Sequence, residues 1–302
     1  MALMQFSLKF VKLNHSDFTK ENKMKFGICC GPTALAVDNE PLKDSVARLM
    51  ETLQSAGADY VEFPVASLKP EEDKSTFIEL LEAVKGAPLK VEAMNGFIPG
   101  HHRITGPDVD IPKVLSYCDE ALSRAHELGV PVVVLGSGAA RKVQDGFDHH
   151  KALEQFIEFC RQLGPIAQKH QIHIAIEPLN TREDNLINTV AQGAQVVEAV
   201  NHPYIQLLAD FYHMFADDEP LGNIIDSGKY IVHTHLADTG RITAGTAEPE
   251  ADFRGFFKAL RASGYESHPN ARCSFEGRIE SITEQAKPMF AFLNQRWKES
   301  EH

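Results

Sequence analysis

Short apolar runs alternate with longer amphipathic runs along the chain from Met24 onward. The short runs are rich in β-branched or aromatic residues and are almost continuously apolar, as parallel strands covered on both faces are. They are KFGICC (25–30), DYVEF (59–63), LKVEAM (89–94), PVVVLG (131–136), IHIAIE (172–177), IQLLAD (205–210), YIVHTH (230–235) and RCSFE (272–276). This pattern predicts eight buried parallel strands.

Each predicted strand is followed by a run in which apolar residues recur at three- and four-residue steps. The first, PLKDSVARLMETLQSAGA, has Gly57 after its last turn, which is typical of a helix end. Similar runs occupy roughly residues 72–86, 112–128, 149–169, 187–200, 219–227, 252–263 and 279–297. Eight strand–helix pairs predict a single (β/α)8 TIM barrel rather than an open sheet, and no GxGxxG follows the first strand to support a dinucleotide site.

The barrel pattern accounts for residues 24–302, which we expect to form one catalytic domain. Residues 1–23 have lysines inside their apolar part and no small-residue cleavage site, so they make a poor signal peptide. We interpret them as an N-terminal arm whose role the sequence does not define. The longest apolar runs are too short for a membrane span, so we expect no contact with a membrane.

The charge and the cysteines narrow the range of partners. The chain has 30 Lys and Arg against 42 Asp and Glu, a net charge of −12, and its basic residues form no stripe. Such a protein repels phosphate backbones, so nucleic-acid binding is not expected. Five cysteines without CxxC spacing argue against a disulfide framework or a structural zinc site. We therefore expect a cytoplasmic protein that binds a small molecule. The sequence does not decide whether the chain forms a homo-oligomer.

Four successive predicted strands end on residue types that bind metals: Glu177, Asp210, His235 and Glu276. In a (β/α)8 barrel these strand ends meet at one mouth, so the four side chains can approach one point. Three clustered carboxylates would repel one another without a cation. Three oxygen donors and one imidazole suit Mn2+, Co2+ or Mg2+, with Zn2+ also open. The pattern predicts one divalent metal ion and leaves its identity open; we take Mn2+ as the first candidate.

The stretches that contain these residues are IAIEPLNTRED, LLADFYHM, HTHLADTGR and CSFEG. They resemble the signature stretches of the xylose-isomerase-like barrel superfamily and, within it, the ketose 3-epimerase branch that includes the D-tagatose and D-psicose 3-epimerases. The resemblance runs from about Met24 to the last helix. It implies that Glu177, Asp210, His235 and Glu276 bind the metal, and that the two glutamates also move the proton.

The resemblance extends to residues that would hold the substrate. Glu183 follows the first metal glutamate by six residues, His213 follows the metal aspartate by three, and Arg241 follows the metal histidine by six. In the branch, residues at the last two positions contact the substrate. The chain departs from the branch at Ala237 and Asp238, where Gly-Glu is usual, so the resemblance defines the substrate less closely than the metal.

Several other polar residues have more than one interpretation. Glu62 ends the second predicted strand and is either a polar contact to the substrate or a carboxylate at the rim. His233 points to the same face as the metal histidine and is expected in the core or beside the ligands. The adjacent histidines at 101–102 and 149–150 are interpreted as solvated, although the loop at 97–106 could cover the mouth.

The leading hypothesis is a metal-dependent epimerase or isomerase that moves a proton next to a carbonyl of a ketose or related polyol, through an enediolate. Glu177 and Glu276 would be the acid/base pair. Inosose dehydratases and hydroxypyruvate isomerases belong to the same superfamily, so their reactions are alternatives to epimerisation. An endonuclease IV-like DNA-repair nuclease is the alternative from another class, and the net charge of −12 speaks against it. A barrel without catalysis would not need both glutamates.

Overall fold

A computed structural model, which describes residues 24–269 and 271–301, contains a closed barrel of eight parallel strands. The strands are β1 Lys25–Cys29, β2 Tyr60–Pro64, β3 Val91–Asn95, β4 Val132–Leu135, β5 His173–Ile176, β6 Ile205–Asp210, β7 Ile231–Leu236 and β8 Arg272–Phe275. Each strand pairs with its neighbours in chain order, and β8 pairs with β1. The predicted single (β/α)8 barrel is confirmed. The arm predicted for residues 1–23 lies outside the described residues.

Ten α-helices lie in the described part of the chain. They are α1 Leu42–Ala56, α2 Lys74–Val84, α3 Ile111–Glu127, α4 Gly138–Arg141, α5 His149–Lys169, α6 Val190–Val200, α7 Phe211–Ala216, α8 Gly222–Ser227, α9 Phe253–Ala262 and α10 Ile282–Glu299. Eight of them correspond to the predicted amphipathic runs; the short helices α4 and α7 were not predicted. Over residues 24–269 and 271–301, no helix is both long and apolar enough to cross a membrane.

The alternation of side chains along the strands explains their almost continuous apolar character. Successive strand residues point to opposite faces, and both faces of a barrel strand are covered. On β4, Val133 belongs to the large cluster that includes the helices, whereas Val132 and Val134 belong to a separate small cluster on β4 to β7. All three valines are buried, so the strand has no polar face.

The register of β6 and β7 brings two of the predicted metal ligands, Asp210 and His235, to one level. Asp210 on β6 pairs with His235 on β7, and His235 pairs with Ser274 on β8. The Asp210 carboxylate also begins α7, because it accepts hydrogen bonds from the backbone N–H groups of Tyr212 and His213. One side chain therefore ends a strand, caps a helix and reaches the mouth.

The buried side chain of Arg141, for which no role was predicted, holds the ends of β4 and β5 together. The guanidinium of Arg141 donates to the carbonyl oxygens of Leu135, at 3.2 Å, and Glu177, at 2.8 Å. It also forms an ion pair of 2.7 Å with Asp184, and both side chains are 0% exposed. Arg141 therefore fixes the backbone from which the Glu177 side chain projects.

Replacing Arg141 with methionine should lower the free energy of unfolding by about 3–5 kcal/mol, because Asp184 would be left as a buried charge without its partner. Urea denaturation measures the loss. The matched control is Arg161→Met, since Arg161 pairs with Glu158 at 3.6 Å on an exposed helix surface, where such pairs contribute about 0–1 kcal/mol. Equal losses in the two variants would contradict the role given to Arg141.

Candidate metal centre and active site

The four side chains predicted to bind a metal meet at the carboxyl-terminal mouth of the barrel. One ligand atom from each of Glu177, Asp210, His235 and Glu276 lies within 4.8 Å of the other three. The first three side chains are buried, whereas Glu276 keeps 18% of its side chain exposed. A small molecule that enters the mouth would therefore meet the cluster from the side of Glu276.

The charges and the unused atoms of this cluster fit a divalent cation. Asp210 uses Oδ1 to cap α7, and its Oδ2 is buried with no hydrogen-bond partner among the described residues. Burial and the charge of Glu276 raise the pKa of Asp210 to about 6, although His235 acts in the opposite direction. Burial and Glu276 also raise the pKa of Glu177. A cation at the common point would remove this repulsion and give Asp210 Oδ2 a partner.

Glu62 sets the orientation of the His235 ring. His235 Nε2 lies 3.0 Å from Glu62 Oε1, and its Nδ1 lies 3.1 Å from Glu177 Oε1. Burial acts to lower the pKa of His235, but negative neighbours, Glu62 foremost, outweigh it and hold the pKa well above its ordinary value. Nε2 is therefore committed to Glu62 as a donor, and Nδ1 faces the other ligands. A metal that binds Nδ1 would displace the proton there.

The structure corrects both interpretations of Glu62, as a rim carboxylate and as a contact to the substrate. Glu62 is 0% exposed, and its second oxygen accepts hydrogen bonds from His233 Nε2 at 2.8 Å and Ser274 Oγ at 2.6 Å. Burial acts to raise the pKa of Glu62, but His235 and His233 hold it well below its ordinary value. Glu62 is a fully buried, ionised carboxylate with both oxygens hydrogen-bonded, so it positions His235 and does not face the open mouth.

His213 presents one ring N–H to the mouth. Its Nδ1 accepts hydrogen bonds from the backbone N–H of Asn180 at 3.2 Å and from the side-chain amide of Asn180 at 2.8 Å. Because both partners are donors, the proton of a neutral ring must lie on Nε2. Nε2 is buried, 3.7 Å from Asp210 Oδ2, with no hydrogen-bond partner in the described chain. His213 thus lies beside the metal ligands, and its Nε2–H is available to a substrate oxygen.

Arg241 lies between the metal cluster and the more exposed Glu183. Its guanidinium pairs with Glu276 and, at 3.2 Å, with Glu183, and it lies 5.3 Å from the centre of the Tyr212 ring. The backbone of Arg241 is left-handed, with φ at 58°, and is held by hydrogen bonds to Asp238 and Arg278. The structure thus places the predicted residues Glu183 and Arg241 together, with a positive charge fixed against Glu276.

Three further residues shape the site and were not predicted. Asn95, the last residue of β3, donates from Nδ2 to Glu276 Oε1 at 2.9 Å. Asn180 holds the His213 ring and donates to Glu183 Oε1 at 3.0 Å. A Cβ atom at Gly136 would lie 2.3 Å from Glu177 Oε2, so a larger residue there would push this carboxylate out of its present position. The signal for Asn95 in the sequence is a polar residue directly after the predicted third strand, which ends at Met94.

Replacing Glu62 with glutamine should weaken metal binding about 10–100-fold, because the amide cannot supply the charge that holds the His235 ring. Isothermal titration of the purified protein with Mn2+ measures the affinity. Glu92→Gln is the matched control, since Glu92 lies on the neighbouring strand and its carboxylate pairs with Lys25 at 2.8 Å, not with a ligand. An unchanged affinity in the Glu62 variant would remove its positioning role.

Comparison with known proteins gives one family and several related enzymes. Residues 50–294 match the xylose isomerase-like TIM barrel family. The chain is 30% identical over 122 residues to 3-dehydro-D-guloside 4-epimerase of Escherichia coli, a match that covers 40% of this chain and 44% of that protein. It is 27% identical over 150 residues to D-psicose 3-epimerase of Ruminiclostridium cellulolyticum, covering 47% and 50%. The chain thus spans about half the length, or less, of these relatives.

The fold likeness covers more of the chain than these sequence matches. The structure of an L-ribulose 3-epimerase matches with a TM-score of 0.75 at 20% identity, covering 92% of this chain and 96% of that one. At this level of identity, the likeness establishes a shared fold.

Proposed function

The chain belongs to the xylose isomerase-like TIM barrel family, and we propose that it is a metal-dependent sugar epimerase that acts next to the carbonyl of a ketose or related polyol. The observation that carries the proposal is the convergence of Glu177, Asp210, His235 and Glu276 on one point at the mouth. The epimerase names of the relatives support a sugar as the substrate class. The net charge of −12 disfavours a nuclease on the same barrel.

The four side chains would hold one divalent ion, Mn2+ by preference, with Co2+, Mg2+ or Zn2+ as alternatives. When bound, the ion would supply positive charge for substrate oxygens that become more negative when a neighbouring C–H group loses its proton. Asp210 has one oxygen committed to the α7 cap, and His235 is held by Glu62. These two residues would therefore be fixed ligands, and Glu177 and Glu276 would transfer the proton.

Glu177 and Glu276 project from β5 and β8, on two sides of His235. His235 Nδ1 lies 3.1 Å from Glu177 Oε1 and 3.9 Å from Glu276 Oε2. A substrate carbon between the carboxylates could lose its proton to one glutamate and regain a proton from the other on the opposite face. Burial and Glu276 raise the pKa of Glu177, which makes its ionised carboxylate a stronger base.

The donors around the two glutamates would orient the substrate. His213 offers its free Nε2–H, and the Arg241 guanidinium offers N–H groups beside Glu276. Glu183, with 38% of its side chain exposed, is a carboxylate acceptor at the outer edge. Sugar hydroxyls are donors and acceptors, so this mixture of groups suits a polyol better than an apolar ligand.

In D2O, the epimerised product should carry deuterium at the inverted carbon, because the second glutamate returns a proton that has exchanged with solvent. The experiment uses the Mn2+-loaded protein with a panel of free ketoses, their phosphates and 3-keto glycosides. The deuterium label is measured by mass spectrometry and NMR.

Glu177→Gln and Glu276→Gln should each lower kcat about 10²–10⁴-fold. Their losses should not add in the double variant, since the two groups act on one proton path.

Glu127→Gln is the control for the glutamine variants, because Glu127 pairs with Lys74 at 2.6 Å on the helical surface. Its activity should equal that of the unmodified protein. Turnover without deuterium in the product and without exchange into the substrate would contradict the two-base transfer. Full activity in either site variant would remove that glutamate from the reaction.

A further inference from the structure

Glu71, His101 and His102 form a second group of metal-binding side chains outside the mouth cluster. One ligand atom from each lies within 4.8 Å of the others. Glu71 precedes α2, and the two histidines belong to the loop that follows β3, so the group joins two separate loops at the carboxyl-terminal side of the barrel. The prediction that these histidines are solvated is wrong for His102, whose side chain is 3% exposed.

The two imidazoles meet at one carboxylate. Glu71 Oε1 lies 3.1 Å from His101 Nε2 and 3.0 Å from His102 Nε2. The ring centres are 4.4 Å apart and the ring planes are inclined at 45°. The three possible ligand atoms thus lie close enough together to bind one ion.

The buried histidine of this group is held in place by its surroundings. The His102 ring packs against Tyr117, with ring centres 4.8 Å apart, and the Tyr117 hydroxyl donates to the carbonyl oxygen of Phe97. The loop is fixed further by a hydrogen bond of 2.9 Å from the Ile98 N–H to Ser137 Oγ. One ligand is therefore preorganised, which reduces the entropy lost on binding.

We propose that Glu71, His101 and His102 bind a second divalent ion, of the Zn2+ class, that fastens the loop after β2 to the loop after β3. Two imidazoles and one carboxylate form a known three-ligand set for zinc, with water in the fourth position. Glu71 and His101 are exposed enough to leave that position open to solvent, at 51% and 58% of their side chains. The mouth cluster has three carboxylates and suits harder ions, so the two sites should differ in preference.

The test is the number of Zn2+ ions bound per chain, measured by isothermal titration and elemental analysis on the full chain without an affinity tag. His101→Ala/His102→Ala should bind one ion fewer than the unmodified protein. Glu71→Gln, which keeps the shape but removes the charge, should weaken this binding at least about tenfold. An unchanged number of ions in the double histidine variant would overturn the proposal.

A second pair of adjacent histidines provides a matched control. His149 and His150 lie at the start of α5, and His150 Nδ1 lies 3.4 Å from Glu154 Oε1, but no third ligand among the described residues joins them. His149→Ala/His150→Ala should bind as many ions as the unmodified protein; a loss equal to that of the 101–102 variant would contradict a specific site. Asp210→Ala should still bind the ion at Glu71, His101 and His102. This variant therefore tests the second site independently of metal binding at the mouth.

Discussion

The repulsion among three carboxylates at one buried point is the constraint on which the rest of the site depends. Two unit charges 4 Å apart interact by about 4 kcal/mol at an effective dielectric constant of 20. Burial, together with the charge of Glu276, raises the pKa values of Glu177 and Asp210. His235 and Arg241 offset part of the repulsion through their positive charges. A divalent ion at the common point would offset the rest, and this is why the cluster indicates a metal centre.

The surrounding residues keep the carboxylates in place despite this repulsion. Arg141 holds the backbone of Glu177 to β4, and Gly136 leaves space for its side chain. Asn95 holds one oxygen of Glu276, and Glu62 fixes the ring of His235 through its Nε2. These supports come from β2, β3 and the segment after β4, so the closed barrel is needed to assemble the site. The fold and the chemistry are thus linked through a small number of polar contacts.

Periodicity in the sequence predicted the barrel well because every strand is covered on both faces. The predicted strands agree with the observed ones to within two residues at each end. The role of Glu62 was not predictable, because the register shifts between Val61 and Glu62 where β2 pairs with β3, and such irregularities re-aim side chains. Helix α7 follows β6 directly, without the longer amphipathic run that predicted the other helices, and the tautomer of His213 depends on Asn180, a contact made only in the folded chain.

The central claim is that four strand-end side chains bind one divalent ion. Anomalous X-ray diffraction from crystals grown with Mn2+ tests it most directly, because the signal locates the ion without reference to activity. The expected peak is enclosed by Glu177, Asp210, His235 and Glu276, about 2.0–2.3 Å from one atom of each. A peak that lies elsewhere, with none between these four side chains, would contradict it.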